Sequence, residues 1–240
     1  MGVQKTTDPA ILSSLRDALR SGVDMATGGA IGFSGGVDSS ILLCLSGGKL
    51  KPYTSGFPGS ADIASASEAG ELMGNPPAII PLDREYLRKA AAAIRKIDPT
   101  ITQQEIGYEI VLYSILDNVR QDKVVTGQGS DELFYGYMAF RESPSITNEG
   151  HLQKLHTRTI PREEKMAAEF SKVLVTPYLS DAVIQIASET GRDQNIIGNR
   201  NKAVLRDLAR FIGIPEEICE RPKKAAQYGS LVQKELRHVL

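Results

Sequence analysis

Short apolar runs alternate along this chain with longer segments in which apolar residues recur every three or four positions, the pattern of strands followed by amphipathic helices. Asp8-Pro9 reads as a helix cap with proline in the first turn, Ile11 or Leu12, Leu15 and Leu19 as the inner face and Gly22 as the stop. Ala30-Ile31-Gly32-Phe33 is a short strand, followed by a glycine turn and the apolar helix Ile41-Leu42-Leu43-Cys44-Leu45, which Gly47-Gly48 closes. Lys51 to Phe57 reads as a second strand, and Ser60 or Asp62 caps a helix with Ile63, Ala66, Ala69 and Met73 inward and Gly74 as its end. Ala78 to Leu82 is a third strand. Asp83 then opens a helix whose Leu87, Ala91, Ile94 and Ile97 face the core, while Arg84, Arg88, Lys89, Arg95 and Lys96 form a solvated face. A largely apolar helix, Ile106 to Val119, precedes a fourth strand, Lys123 to Thr126, that enters a second glycine turn.

Beyond Tyr137 the strand signal fades. Arg141 to Thr147 is a polar loop, and the remainder reads as mainly helical, at about 150–157, 161–170, 181–190, 201–212, 215–220 and 222–238. Strand–helix alternation predicts an α/β fold: a doubly wound parallel sheet of about five strands with helices on both faces. Residues 1–240 form one domain in this reading, with an α/β core over about 1–137 and a helical C-terminal lobe over about 148–240 packed beside it.

Composition narrows the partners. The chain of 240 residues is 41% hydrophobic and 24% charged, with a net charge of −1. That balance argues against a nucleic-acid surface or a polybasic membrane patch. No apolar run approaches the ~20 residues of a membrane span, and no cleavable signal peptide is evident, so a cytoplasmic location is expected. Cys44 and Cys219 form no metal or redox spacing. His151 and His156 stand five apart, off the helical ligand spacing, and are expected on the surface.

The chemistry gathers in the two glycine turns. In Ser34-Gly35-Gly36-Val37-Asp38-Ser39-Ser40 the paired glycines allow close approach of a ligand. The N–H groups and dipole of the following helix make an anion site, and Ser34, Ser39 and Ser40 add hydroxyls. This is a phosphate cradle, but not a Walker loop, which requires a lysine. Asp38 stands there instead. It either complements the helix dipole or reaches phosphate through Mg²⁺, which accepts carboxylate and phosphate oxygens together. Thr126-Gly127-Gln128-Gly129-Ser130-Asp131-Glu132-Leu133-Phe134-Tyr135-Gly136-Tyr137 is the second turn, again opening a helix at its polar residues. Both turns fall at carboxyl ends of strands, where ligands bind in such folds, so they can converge.

S-G-G-x-D-S resembles the pyrophosphate loop of the N-type ATP pyrophosphatases (the PP-loop superfamily), which cleave ATP between the α and β phosphates. With T-G-Q-G-S-D-E-L-F-Y-G-Y the pattern resembles the synthetase domain of asparagine synthetase, and three further stretches follow that family's order. They are Tyr53 to Asp62, Thr176-Pro177-Tyr178-Leu179-Ser180-Asp181, and Asn201-Lys202-Ala203-Val204-Leu205-Arg206 with Arg221-Pro222-Lys223-Lys224. The resemblance implies an adenine nucleotide alpha hydrolase-like fold. It also implies an ATP-dependent, AMP- and pyrophosphate-forming amide ligase that adenylates aspartate or a similar carboxylate for attack by ammonia, with ATP and Mg²⁺ as cofactors. Ser34, Gly35, Gly36, Ser39 and Ser40 would hold pyrophosphate, and Asp38 and Asp131 would ligate Mg²⁺. The backbone near Gly56 and at Thr126-Gly127 would contact the nucleoside. Gln128 and Ser130 would face the substrate, and Lys223 would be the catalytic cation, with Lys224 a solvated neighbour.

Two departures stand out. Gln128 occupies a position where the family usually has Glu, and a neutral amide cannot take a proton from ammonia. Position 2 is Gly rather than the nucleophilic Cys of a glutaminase domain, so ammonia, or a separate glutaminase subunit, is the expected nitrogen source. The alternatives are a PP-loop enzyme adenylating another acceptor (a nucleobase or tRNA position, or a β-lactam-type ring closure) and a non-catalytic nucleotide-binding subunit. Small-molecule partners are expected, with a homodimer left open as an alternative to a monomer.

Overall fold

The computed structural model describes residues 7–143, 145–222 and 229–239. Four of the apolar runs form the parallel strands β1 (Ala30–Gly32), β2 (Lys51–Gly56), β3 (Ala78–Pro81) and β4 (Lys123–Val125). A fifth strand, β5 (Val173–Val175), joins them in the order β3-β2-β1-β4-β5, every pair parallel. The alternation of side chains along a strand feeds two cores. Ala30 and Val124 lie in one core with Leu87, Ile94, Ile106 and Ile110. Ile31 and Val125, one residue on, lie in the other with Leu15, Leu19, Ile41 and Leu208. Burial on both faces is why the central pair, Ala30-Ile31 of β1 and Val124-Val125 of β4, reads as apolar runs rather than as alternating ones. The structure is therefore α/β and doubly wound, as the sequence predicts.

Helices α1 (Pro9–Asp24), α2 (Val37–Leu45), α3 (Ala61–Leu72), α4 (Arg84–Ile97) and α5 (Gln103–Asn118) accompany the first four strands. Asp8, Ser60 and Asp83 cap α1, α3 and α4 through their side chains. The second half carries α6 (Ser130–Leu133), α7 (Met138–Glu142), α8 (Glu149–Lys154), α9 (Ile160–Glu169), α10 (Asp181–Glu189), α11 (Arg192–Asn195), α12 (Ala203–Phe211), α13 (Glu216–Cys219) and α14 (Val232–Leu236). A π-helical turn, Leu155–Thr159, joins α8 to α9. Among the described residues no helix is long and apolar enough to cross a membrane.

Several expectations are corrected. Gly22 does not end α1, which runs on to Asp24. A Cβ at Gly22 would lie 2.9 Å from that of Pro177, so the glycine is there for close packing. Helix α5 starts three residues earlier than its apolar pattern, because Thr102 and Glu105 form a reciprocal capping box. The loop read from Arg141 begins inside α7. β5 interrupts the stretch read as helical, and of the helix expected over 222–238 the described part is α14. Phe57 donates its N–H to the Ser230 carbonyl (3.1 Å), which fastens the segment before α14 over the end of β2.

Candidate functional site

β1 and β4 pair with Ala30 opposite Val124 and Ile31 opposite Val125. Chain order reverses between them, which opens a crevice at their carboxyl ends. Both glycine turns leave from that crevice. In the first, Gly35 has φ +71°, and a Cβ there would lie 2.4 Å from the Ser65 carbonyl oxygen. Any other residue would force the loop off α3. Gly36 is the extended cap of α2. The Ser34 and Ser39 hydroxyls lie 3.3 Å apart, and Ser39 also donates to the Gly36 carbonyl (3.3 Å). Ser40 lies beneath them, fully buried, its hydroxyl without a hydrogen-bond partner among the described residues. From outside, Arg221 donates to the carbonyls of Gly35 (3.2 Å) and Ser65 (2.6 Å) and pairs with Glu68 (2.7 Å), tying the loop to α3. Gly56, at the end of β2, is crowded: a Cβ there would lie 2.8 Å from Ser60 Oγ.

The second turn touches the first, since a Cβ at Gly127 would lie 3.5 Å from that of Asp38. Thr126 donates its N–H to the Val175 carbonyl (3.0 Å). Gly129 has φ +89° and no room for a side chain against Leu179. The helix expected at Ser130 has only four residues, too few to carry much of a dipole. The positive charge at this turn is instead a side chain that the sequence reading gave no role. Lys202 Nζ lies 2.6 Å from Asp38 Oδ2, 2.7 Å from Asp131 Oδ1 and 3.2 Å from Ser130 Oγ. Its side chain is 3% exposed. Burial lowers its pKa, and Asp38 opposes the shift.

The Lys202 ammonium thus holds Asp38 and Asp131 side by side. Their oxygens nevertheless suit Mg²⁺, because both reach a single cation and a hard ion takes one or two carboxylates plus phosphate oxygens. Room for this contact depends on Gly136, where a Cβ would lie 1.8 Å from Asp131 Oδ1 and 2.2 Å from Lys202 Cε.

Lys202 is delivered by its neighbours. It takes φ +55°, and Asn201 donates to the carbonyls of Tyr135 and Tyr137, both at 2.9 Å. Arg206, a turn later, donates to the carbonyls of Asn201 (2.9 Å), Cys219 and Arg221 (3.2 Å). The K-x-x-L-R stretch thus holds both the second turn and the segment that precedes Lys223. Lys223 and Lys224 themselves lie outside the described residues. Tyr178, fully buried, donates to the Asp38 carbonyl (3.1 Å) and gives the T-P-Y-L-S-D stretch its place. A signal for Lys202 was present: it opens an amphipathic helix, where a cation is disfavoured by the dipole.

Behind Gln128 lies a buried acidic group that the sequence reading also missed. Gln128 Nε2 donates to Glu163 Oε1 at 2.5 Å. Glu163 sits beside Arg162, which binds Glu109 Oε1 through Nε (2.8 Å) and Nη2 (2.6 Å) and Asp98 through Nη1 (3.0 Å). Arg162 and Glu163 share the inner face of α9 with Met166 and Ala167. Polar residues on an apolar face were the readable sign. Glu132 is also buried and accepts from the Tyr137 hydroxyl at 2.5 Å. The Tyr137 ring packs 5.1 Å from that of His151, which therefore leaves the solvated role expected of it.

Burial raises Glu163 well above the ordinary glutamate range, with Glu109 adding to the shift. Glu109 is pushed to about 7, by burial first, against Arg162. The folded protein therefore keeps these protons to a higher pH than the unfolded chain. The contribution of Glu109 is complete below about 4.5 and is lost as pH rises through about 7. Glu105, held down at about 2 by the Thr102 hydrogen bonds and Lys154 against its desolvation, acts oppositely and loses its share only in acid. The midpoint of urea unfolding should accordingly fall between pH 5 and pH 8. A decrease on the order of 1–3 kcal/mol is expected, and a midpoint that rises over this window would contradict it.

Known proteins bear on this arrangement. A family model described as asparagine synthase matches residues 10–153 and 149–240. A protein of Methanocaldococcus jannaschii described as an asparagine synthetase of the glutamine-hydrolyzing kind is 28% identical over 82% of this chain and 44% of its own length. The glutamine-hydrolyzing asparagine synthetases of Homo sapiens and Bos taurus are each 25% identical over 82% of this chain and 38% of theirs. The chain thus spans less than half the length of these curated relatives. Among solved structures, the NMN synthetase of Francisella tularensis aligns over 93% of this chain and 78% of that one, at 15% identity and a TM-score of 0.48. With nearly its whole length matched by one family model, and with both glycine turns in place, the chain belongs to the asparagine synthase family.

Proposed function

We propose that this chain is an ATP-dependent, AMP-forming amide ligase that adenylates aspartate or a similar carboxylate and passes the acyl group to ammonia. The observation that carries the reading is the meeting of Lys202, Asp38 and Asp131 at the point where the two glycine turns touch. ATP lies in this proposal with its pyrophosphate end over Ser34 to Ser40 and its nucleoside toward Gly56 and Thr126-Gly127. An oxygen of the substrate carboxylate attacks the α-phosphorus, the bond from that phosphorus to the bridging oxygen breaks, and pyrophosphate leaves. Negative charge grows on the leaving group, next to the start of α2 and the Lys202 ammonium, which are fixed before the reaction begins. Ammonia then attacks the acyl carbon, the bond to AMP breaks, and the surplus proton passes to solvent. Mg²⁺, held by Asp38 and Asp131, would supply further neutralisation of the phosphates. Lys202 and the ion draw on the same two carboxylates.

Nucleotide chromatography tests the bond that breaks. With ATP, Mg²⁺, aspartate and ammonium, turnover should yield AMP and pyrophosphate, and Asp38→Asn or Asp131→Asn should each abolish it while the far-UV circular dichroism stays that of the parent. Substrate-dependent ADP would end the proposal, because transfer at the γ phosphate is the work of a different loop.

A further inference from the structure

Of the described non-glycine residues with left-handed φ, two stand beside the site, Tyr135 at +56° and Lys202 at +55°. Side chains of that size keep such a backbone only where their surroundings impose it. Asn201 ties the two together. Its Nδ2 donates to the carbonyls of Tyr135 and Tyr137, both at 2.9 Å. An amide NH₂ has two hydrogens and both partners can only accept, so the orientation of this side chain follows from them. Its Oδ1 has no hydrogen-bond partner among the described residues, which leaves the whole hold in this pair. The two carbonyls bracket Gly136, whose bare Cα makes room for Asp131 Oδ1 and Lys202 Cε and whose N–H donates to the Asp131 carbonyl (2.8 Å). From the other side, Arg206 Nε donates to the carbonyl of Asn201 itself (2.9 Å). One amide thus fixes the spacing between the second glycine turn and the residue that caps α12.

The ammonium so placed lies 2.6 Å from Asp38 Oδ2 and 2.7 Å from Asp131 Oδ1. A divalent ion takes carboxylate oxygens at about 2.1 Å, so on either oxygen it would come within about 5 Å of Nζ. That is a doubly charged neighbour for a cation whose side chain is 3% exposed. Ammonium and ion therefore compete for this pair.

We infer that Asn201 is a positioning residue: by pinning Lys202 it presses the ammonium onto both aspartates and so sets how strongly a divalent ion must compete for them. In the proposed reaction the triphosphate offers the ammonium other oxygens, and Lys202 cedes the pair. The inference deepens the ligase reading above and rests on its assignment of the metal to Asp38 and Asp131, not on its acceptor.

The test is the binding of Mn²⁺ alone, followed by electron paramagnetic resonance without nucleotide. Lys202→Met should tighten it about tenfold or more, and Asn201→Leu, which removes both donors, about fivefold or more. Damage to the fold would loosen the ion instead, so the sign separates positioning from a merely structural role. The double variant should bind no tighter than Lys202→Met, because Asn201 acts through the ammonium. Asn201→Ser, with one donor in place of two, should also tighten the ion and keeps the test from depending on a single variant's folding. Mn²⁺ binding that is weaker or unchanged in the folded Asn201 variants would overturn the inference, as would a double variant clearly tighter than Lys202→Met. So would Mn²⁺ binding that Asp38→Asn leaves intact, since the ion would then lie elsewhere. If the affinities move as expected but the parent forms no AMP with any carboxylate tried, the ligase reading fails and the role of Asn201 stands.

Discussion

Replacing Lys202 with methionine should cost the protein stability and its ATP turnover together. The substitution keeps the length of the side chain and removes a buried cation that Asp38 and Asp131 both touch, at 2.6 and 2.7 Å. Like charges are then left close together in a partly dry site. Breaking a buried ion pair costs about 3–5 kcal/mol. The two aspartate side chains keep 21% and 17% exposure, which places the expected loss near the lower end, about 3 kcal/mol. Urea unfolding followed by circular dichroism measures it. Millimolar Mg²⁺ should return part of the loss in the variant and do less for the parent, since an ion that binds only the folded chain stabilises by mass action. Turnover should fall by orders of magnitude even under folding conditions. A variant as stable as the parent would show that the ammonium adds nothing to holding the aspartates.

The second large effect lies behind the site. Arg162→Met should destabilise by about 3–5 kcal/mol at pH 7.5, because it strands a buried glutamate. Arg162 and Glu109 are 2% and 1% exposed, and the guanidinium fork grips a single carboxylate oxygen with two donors. Removing Arg162 takes away the partner that lowers the Glu109 and Glu163 pKa values, so both rise further. The stranded acids can then stay neutral, and the deficit relative to the parent should shrink as pH falls from 7.5 to 5. A deficit equal at both pH values would mean that these carboxyls carry no charge in the parent either.

What the chain discloses about itself follows from how local each feature is. β1 to β4 are legible because each run is bounded by glycine, proline or a cap, and because burial on both faces keeps Ala30-Ile31 and Val124-Val125 of the central strands apolar. β5 is only Val173-Leu174-Val175 between two helices, too short for any periodicity. Its identity comes from pairing with β4, Lys123 opposite Val173. Gly22 looked like a stop because a glycine after an apolar face usually is one; its neighbour Pro177 is 155 positions away. The site divides the same way. Ser34 to Ser40 and Thr126 to Tyr137 carry their chemistry within a dozen residues, so the glycine turns and both aspartates could be picked out. Lys202 and Glu163 enter only through tertiary structure, at the start of α12 and on the inner face of α9. Each bore a local anomaly: a cation where the helix dipole disfavours one, and an acid on an apolar stripe.

Gly22 gives the site a longer reach than its chemistry. The glycine lets α1 press on Pro177, and the next residue, Tyr178, holds the backbone carbonyl of Asp38. A helix with no polar group near the phosphate cradle is thereby the backstop of the residue at its centre. Local opening of α1 would slacken the Tyr178 latch, so the free energy of that opening sets a ceiling on how rigidly Asp38 can be presented. Amides of α1 and of the first turn of α2 are therefore expected to open together in hydrogen exchange, since the loop is braced by a tyrosine 140 positions along the chain.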